Sequence, residues 1–534
     1  MFFRKRFGGL TIAFAFVATH NHFVLDRKSR VFNRTGPIIK LPDGTGENGH
    51  LALLGVLNSS TACFWLKQVS HDKGIRGEGG GITSSDWERF YEFTGKKLEQ
   101  FPLPGALPLE FGRALDSLAR ELARVEPAAT CADGVPTRER LDAACETHGR
   151  LRARMIALQE ELDWDCYRRY GLLTEAEAAD LLADPADLPE LTLGERAFEM
   201  VLAKAMDADE VETQWFSRHG AKPIREIPEG WPPAYREVVR RRIETIGRRR
   251  DLALIERPEC KRRWLSEPWQ AKEKEALRGW LLDRCEAREL WFRTRDGETV
   301  PRLLTVNQLV DGLRGDADFV AVAQLLAVHL DMRDADLAAI LTEVTADEHV
   351  PYLAALRYKD SGLRKRAEWE AVWAWQREED RAGQRLDIKV PQKYTKADFA
   401  RPSYWRNRGK LDVPKERFIS YPAANPDGDG SLLLGWAGWD HAEQADALAG
   451  LVTERSDTDD WPTERIVPLL AGLAEVMPWV WQWHSEDDQG WGSSPAQDFQ
   501  AFLDDQRQRH GVTEEDLRRW RPVPARAGGR RRAR

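Results

Sequence analysis

The chain has 534 residues, enough for three or four domains of about 100–200 residues each, and its 42% hydrophobic and 31% charged content excludes the disordered and fibrous classes. A net charge of −8 and a pI near 5.9 exclude whole-chain electrostatics as a basis for nucleic-acid binding, so any such contact has to be local. Six cysteines, at 63, 131, 145, 166, 260 and 285, have the spacing of neither a zinc knuckle nor a redox pair and read as buried or incidental thiols of a reducing cytoplasm.

The first 18 residues join a basic start, Arg4-Lys5-Arg6, to an apolar run at 10–18, the outline of a signal peptide. The run passes directly into Thr19-His20-Asn21-His22-Phe23, an extended pattern, so it reads as strand instead. No run reaches the roughly 20 apolar residues of a membrane span, and no membrane partner is expected. Strands are expected at 14–25, 31–33 and 37–41, with turns at 26–28 and 43–46. Residues 51–57 read as a short buried helix ending at Asn58-Ser59-Ser60, where a serine hydroxyl can cap a second helix through Phe64-Trp65-Leu66. A glycine-rich loop at 71–81 closes on the aromatic segment 87–93 and a proline-bounded edge at 101–104.

From Leu107 the pattern is helical. Its strongest periodic stretch is 137–170, where Leu141, Ala144, Leu151, Met155, Leu158 and Leu162 recur at steps of three and four, with Arg and Glu between them. A long amphipathic helix follows from that spacing. Thr174 and Glu177 form a capping box for the next helix, and the prolines at 185 and 189 mark a break. Helices are expected at 195–206, 234–255, 269–292, 317–341 and 369–379, with a hairpin at 291–300 and an edge strand at 386–390 stopped by Pro391. The region 418–506 holds one hairpin-like turn at 425–430 and then helices rich in Leu, Ala and Trp; the basic stretch 526–534 should be disordered. The 21 tryptophans should line helix–helix contacts. The expected class is α+β: a mixed N-terminal part followed by mostly helical domains, divided as 1–105, 106–185 (the long helix and spacer), 186–300, 301–525 (Trp-rich) and 526–534 (tail).

Little in this pattern carries catalytic chemistry. The glycines at 77 and 79–81 lack the lysine and hydroxyl of a phosphate loop, His20-x-His22 lacks a third metal ligand at a supporting spacing, and Asn425-Pro426-Asp427 is a turn. The residues that suit DNA are near the glycine-rich loop. Lys67, Lys73 and Arg76 would meet phosphates, and Asn58, Ser59 and Ser60 offer amide and hydroxyl groups that can read base edges. The bland alternative is a solvated loop beside ordinary helix caps.

Four segments taken together, ATHNHF at 18–23, PIIKLP at 37–42, LLGVLNSSTACFW at 53–65 and WERFYEF at 87–93 running to FPLP at 101–104, resemble the target-recognition region of large adenine-specific DNA methyltransferases. LQEELDW at 158–164 with Tyr167 and YGLLT at 170–174 resembles the helix that follows that region, and LLLGWAGWDH at 432–441 their C-terminal part. The family is that of the PglX-like enzymes of type 2 bacteriophage-exclusion (BREX, or phage-growth-limitation) systems. The resemblance implies a target-recognition domain with helical accessory domains, acting on double-stranded DNA in anti-phage defence. Such enzymes carry a methyl group from S-adenosylmethionine to adenine through a glycine-rich cofactor motif and an Asn/Asp-Pro-Pro-Tyr/Phe motif. This sequence contains neither, so the expected chain binds no cofactor, is inactive alone, is cytoplasmic, and works with a catalytic methyltransferase subunit or fragment. The alternative is a protein-interaction scaffold that binds other phage-defence proteins through its helices.

Overall fold

The computed structural model describes residues 9–28, 30, 32–75, 85–295, 297–487 and 493–522. Of the loop expected at 71–81, residues 71–75 form a strand instead and 76–81 lie outside the described residues, as does the basic stretch 526–534. Two compact units emerge, 1–273 and 274–534. Both mix small sheets with many helices, as an α+β chain should. Among the described residues no helix is long and apolar enough to cross a membrane.

In the first unit the N-terminal apolar run is a fully buried strand, β1 (Thr11–Phe14). It pairs antiparallel with β3 (Phe23–Asp26) on one side and β4 (Ile38–Ile39) on the other. The intervening β2 (Val17–Ala18) leaves that sheet and joins β6 (Arg89–Glu92), which also pairs with β5 (His71–Ile75). The continuous strand expected at 14–25 is therefore three strands serving two sheets. The expected strand at 31–33 is absent from the described residues there: Asn33 accepts from the Thr35 backbone N–H at 3.0 Å and turns the chain.

The helix Glu47–Leu57 crosses the helix Leu109–Arg124 with Gly55 and Gly112 at the contact, where a Cβ on Gly112 would overlap the Leu51 carbonyl. The helix Arg138–Arg169 forms as its period requires, capped by Thr137 accepting from Arg140 N–H. Its second half departs from the amphipathic expectation. From Met155 to Tyr167 every residue is buried, charged ones included, because elements pack on all its sides. Ile156, Trp164, Phe198, Trp215 and Tyr235 share one core with Trp87, so segments on either side of positions 105 and 185 are held by the same apolar contacts.

The second unit contains the hairpin β7 (Phe292–Arg295) and β8 (Glu298–Pro301), and a four-stranded sheet in the order β10 (His349–Pro351), β11 (Phe418–Ser420), β12 (Leu433–Trp436), β9 (Leu304–Thr305). The turn at 425–430 connects β11 to β12 as read. The expected helix 317–341 is two, Ala317–His329 and Leu337–Thr345, parted at Asp331, whose φ of 57° no helix accommodates, and restarted by the Asp336 cap. The edge strand expected at 386–390 is not one: those residues pair with no strand, and Val390 is 76% exposed. The unit's main core joins helices His441–Thr453, Thr463–Trp483 and Pro495–His510, with Leu448, Leu469 and Leu470 at its centre. Gly472 lets the Tyr352 ring lie directly on the middle helix.

Candidate nucleic-acid interface

The residues expected to touch DNA sit where β2, β5 and β6 meet the helix Ser60–Val69, and most are engaged by the fold. The Asn58 side-chain amide pairs with the Phe23 backbone as a strand would, accepting from N–H at 3.0 Å and donating to C=O at 2.9 Å. Ser59 is the N-cap: its hydroxyl accepts from Ala62 N–H at 3.1 Å and donates to the Val56 carbonyl at 2.7 Å. Ser60 shares its hydroxyl with Tyr167 at 2.9 Å while its N–H donates to Asp163 at 2.7 Å. The two serines are fully buried. Their groups, and those of Asn58, are committed to partners within the fold.

Lys67 is also turned inward, donating to the Glu259 carbonyl at 2.6 Å and lying 5.1 Å from the Tyr91 ring centre. Lys73 on β5 is partly exposed and paired with Glu92 on β6, whose carboxyl it holds below the usual range. Beside it Arg89 is shared between Asp72 and Asp86. The cations of this sheet are thus matched by acids, which leaves Lys73 as the one expected phosphate contact near solvent among the described residues; Arg76 lies outside them.

Beneath this surface the sequence motifs converge on a buried ionic cluster that sequence reasoning missed. Lys261, with no exposed surface, donates to Glu160 at 3.2 Å and Asp163 at 3.1 Å and meets Glu256 at 2.7 Å. Burial alone would push the Lys261 ammonium down, but Asp163, Glu160 and Glu256 raise it. Burial works against the Asp163 carboxylate too, yet Lys261 and Arg263 hold it below its ordinary value. Glu256 is shifted upward by its burial and by Glu160, and accepts from Tyr167 at 2.5 Å. The cluster is extended by Gln159, which bridges Asp163 and the Asn58 carbonyl. Two separate buried pairs, Arg242–Glu161 and Arg196–Glu199 with Trp215, complete the polar interior. No sequence signal marked it: Glu160, Glu161 and Asp163 fall between the apolar positions of an amphipathic pattern, where solvated acids are expected.

Between the cluster and the surface lies a basic patch. Arg263 is nearly buried; it reaches Asp163 at 3.4 Å through one nitrogen. Arg262 stacks 5.0 Å above the Trp87 ring and donates to the Trp87 carbonyl at 3.2 Å. Burial, then Arg263, His22, Arg262 and Lys67, keep His20 well below the normal histidine value. The Cys63 thiol is drawn down by its contact with Cys260, against its burial, with Lys67 and Arg263 adding to the effect. The positive charge beside His20 thus comes from Lys67, Arg262 and Arg263, while Lys261 beneath them is matched by three carboxylates. The His20 and His22 rings stand 6.4 Å apart, edge to face, and no group of three potential ligands among the described residues is arranged to hold a metal ion.

Comparison with known proteins places these features. The chain is similar, at 50% identity over 528 residues, to the "Adenine-specific methyltransferase PglX" of Streptomyces coelicolor; the aligned region is 96% of this chain and 42% of that protein, so the chain spans less than half the length of this curated relative. No solved structure matches it. Residues 155–532 match a domain of unknown function (DUF7008). That match begins within the buried half of the long helix and takes in most of the sequence: the chain belongs to the DUF7008 family.

Proposed function

We propose that this chain supplies the DNA-recognition and accessory part of an adenine-specific DNA methyltransferase and leaves methyl transfer to a separate catalytic part. The observation that carries this reading is the 50% identity, across nearly the whole chain, to an adenine-specific methyltransferase more than twice as long. Adenine has to be flipped into a pocket built by a catalytic domain, while other surfaces grip the duplex, so the two tasks divide naturally.

Duplex DNA is the proposed partner, met through the Lys73 edge and the basic patch.

The test supplies the complementary part of the Streptomyces coelicolor relative in trans and measures transfer of labelled methyl groups to adenine in duplex DNA. Activity is expected with both parts present and not with this chain alone. Methylation by the isolated chain, or full activity of the complementary part without it, overturns the reading.

A further inference from the structure

The second unit holds a cavity of about 220 Å3 between the β7–β8 hairpin and the helix His441–Thr453. Strand alternation makes its chemistry. Arg293 and Arg295, two apart on β7, share a face with their cross-strand partners Val300 and Glu298, and that face looks onto the helix at Asp446. Arg302, just past β8, adds a third guanidinium, and the buried Arg455 a fourth.

Their partners differ. Arg455 is satisfied by the Ala424 carbonyl at 3.1 Å and by Glu454 and Asp459, both at 2.7 Å. Arg293 and Arg302 form no ion pair and their guanidinium groups no hydrogen bond among the described residues. With Glu454 taken by Arg455, Asp446 is the acid that faces the remaining arginines inside the cavity. The floor is apolar, formed by Val300, Leu433 and Leu451, and opens at Gly450, where an added Cβ would meet nothing within 4 Å.

We propose that this cavity is a phosphate-binding site, taking either a phosphodiester of a DNA strand or the phosphate of a free nucleotide. The exposed, planar guanidinium forks of Arg293 and Arg302 match a tetrahedral oxyanion better than point charges would. The DNA source rests on the proposed function above; the nucleotide source does not. Asp446 acts as the competitor for the arginines. Burial pushes its carboxyl up to about 6, against the pull of Arg293 and Arg295 and with that of Glu298. Of the other charged groups lining the cavity, Arg302, Glu454 and Arg455, the last two neutralise each other. As pH falls through 6, Asp446 loses its charge and the arginines are freed, so affinity rises.

The experiment titrates the full chain by calorimetry with inorganic phosphate, with adenosine triphosphate, and with a short duplex DNA at low salt. The double variant Arg293→Ala, Arg302→Ala should weaken the bound probe about ten-fold or more, the loss expected for two charge-assisted hydrogen bonds. Its thermal transition should shift little, since both side chains are exposed and neither guanidinium makes a hydrogen bond or close ion pair. Asp446→Asn should tighten binding at neutral pH and abolish the rise in affinity on acidification, which a purely structural role would not do. Variant-sensitive binding of the triphosphate or inorganic phosphate assigns a free nucleotide; variant-sensitive binding of DNA alone assigns the strand. DNA binding untouched by either variant, with no binding of the small probes, overturns the site while leaving the proposed function standing. A site that binds the triphosphate in a chain that binds no DNA does the reverse.

Discussion

The two units are built around different interiors. At the heart of the first, Lys261 meets three acids and Arg242 and Arg196 each hold a glutamate, with almost no exposed surface on any of them. The main core of the second is aliphatic and aromatic, with Glu475 between Arg357 and Arg366 and the buried Arg455 between Glu454 and Asp459 as smaller polar groups beside it. Apolar packing is non-directional and tolerates repacking, whereas each buried charge has to meet a partner at one distance and angle. The first unit therefore fixes its geometry through a few pairs, and the second through the sum of many contacts.

Removing Lys261 should break this contrast most severely. Lys261→Met leaves Glu160, Asp163 and Glu256 crowded without their cation, and the loss from breaking a buried pair is about 3–5 kcal/mol, read as the shift in denaturant midpoint. A cost below about 1 kcal/mol would mean that the cluster is not what holds this unit. Leu470→Ala in the second unit should cost about 2–5 kcal/mol through its cavity, and this loss should be the same at pH 5 and pH 8. Hydrogen exchange read separately on each unit compares the two.

Acid should sharpen the comparison. The folded pKa of Asp163 is held down by Lys261 and Arg263 against its burial, and that of Glu199 by Arg196 in the same way. A lowered carboxylate contributes stability that is complete above its unfolded value and is lost as pH falls through the folded one. Between neutral pH and about pH 3, below the unfolded carboxylate values, the first unit should lose more protection than the second. Asp163→Asn should flatten that acid limb while lowering stability at pH 7.

Smaller effects separate structural from DNA-contacting roles. Ser59→Ala should cost about 1 kcal/mol as the loss of a helix cap, with no change in sequence preference in the reconstituted enzyme. Relaxed preference without a stability loss would restore Ser59 as a base reader. Lys73→Ala should leave the melting temperature where it is, because its ion pair is open to water, and lower the salt dependence of DNA binding by about one phosphate contact.

How much of this was legible in the sequence depended on distance along the chain. The Ser59 cap, the Thr174–Glu177 box, the hairpin at 292–301 and the long helix each announce themselves within a few residues and are present. The strand expected at 386–390 failed because alternation over five residues specifies a ladder only if a partner strand exists. The same limit governs the candidate site. The Asn58 and Ser60 side chains look alike whether they serve a groove or the fold, and their partners in the fold, Phe23 and Tyr167, lie 35 and 107 residues away. Lys261 is separated from Asp163 by 98 residues, and no period in the sequence records that meeting. The arginine cavity was missed for a related reason, since Arg302 follows a turn that only the paired hairpin brings beside Arg293.

The enclosure of the long helix on every side between Met155 and Tyr167 also sets a clock. An amide there can exchange with solvent only when its neighbours on all faces have parted, so exchange should proceed by opening of the whole unit and not by fraying. The N-terminal half of the same helix, where Glu139, Arg150 and their neighbours stand in solvent, is free to open a turn at a time. One continuous helix should thus show two exchange regimes, with the change near Met155, where burial becomes continuous.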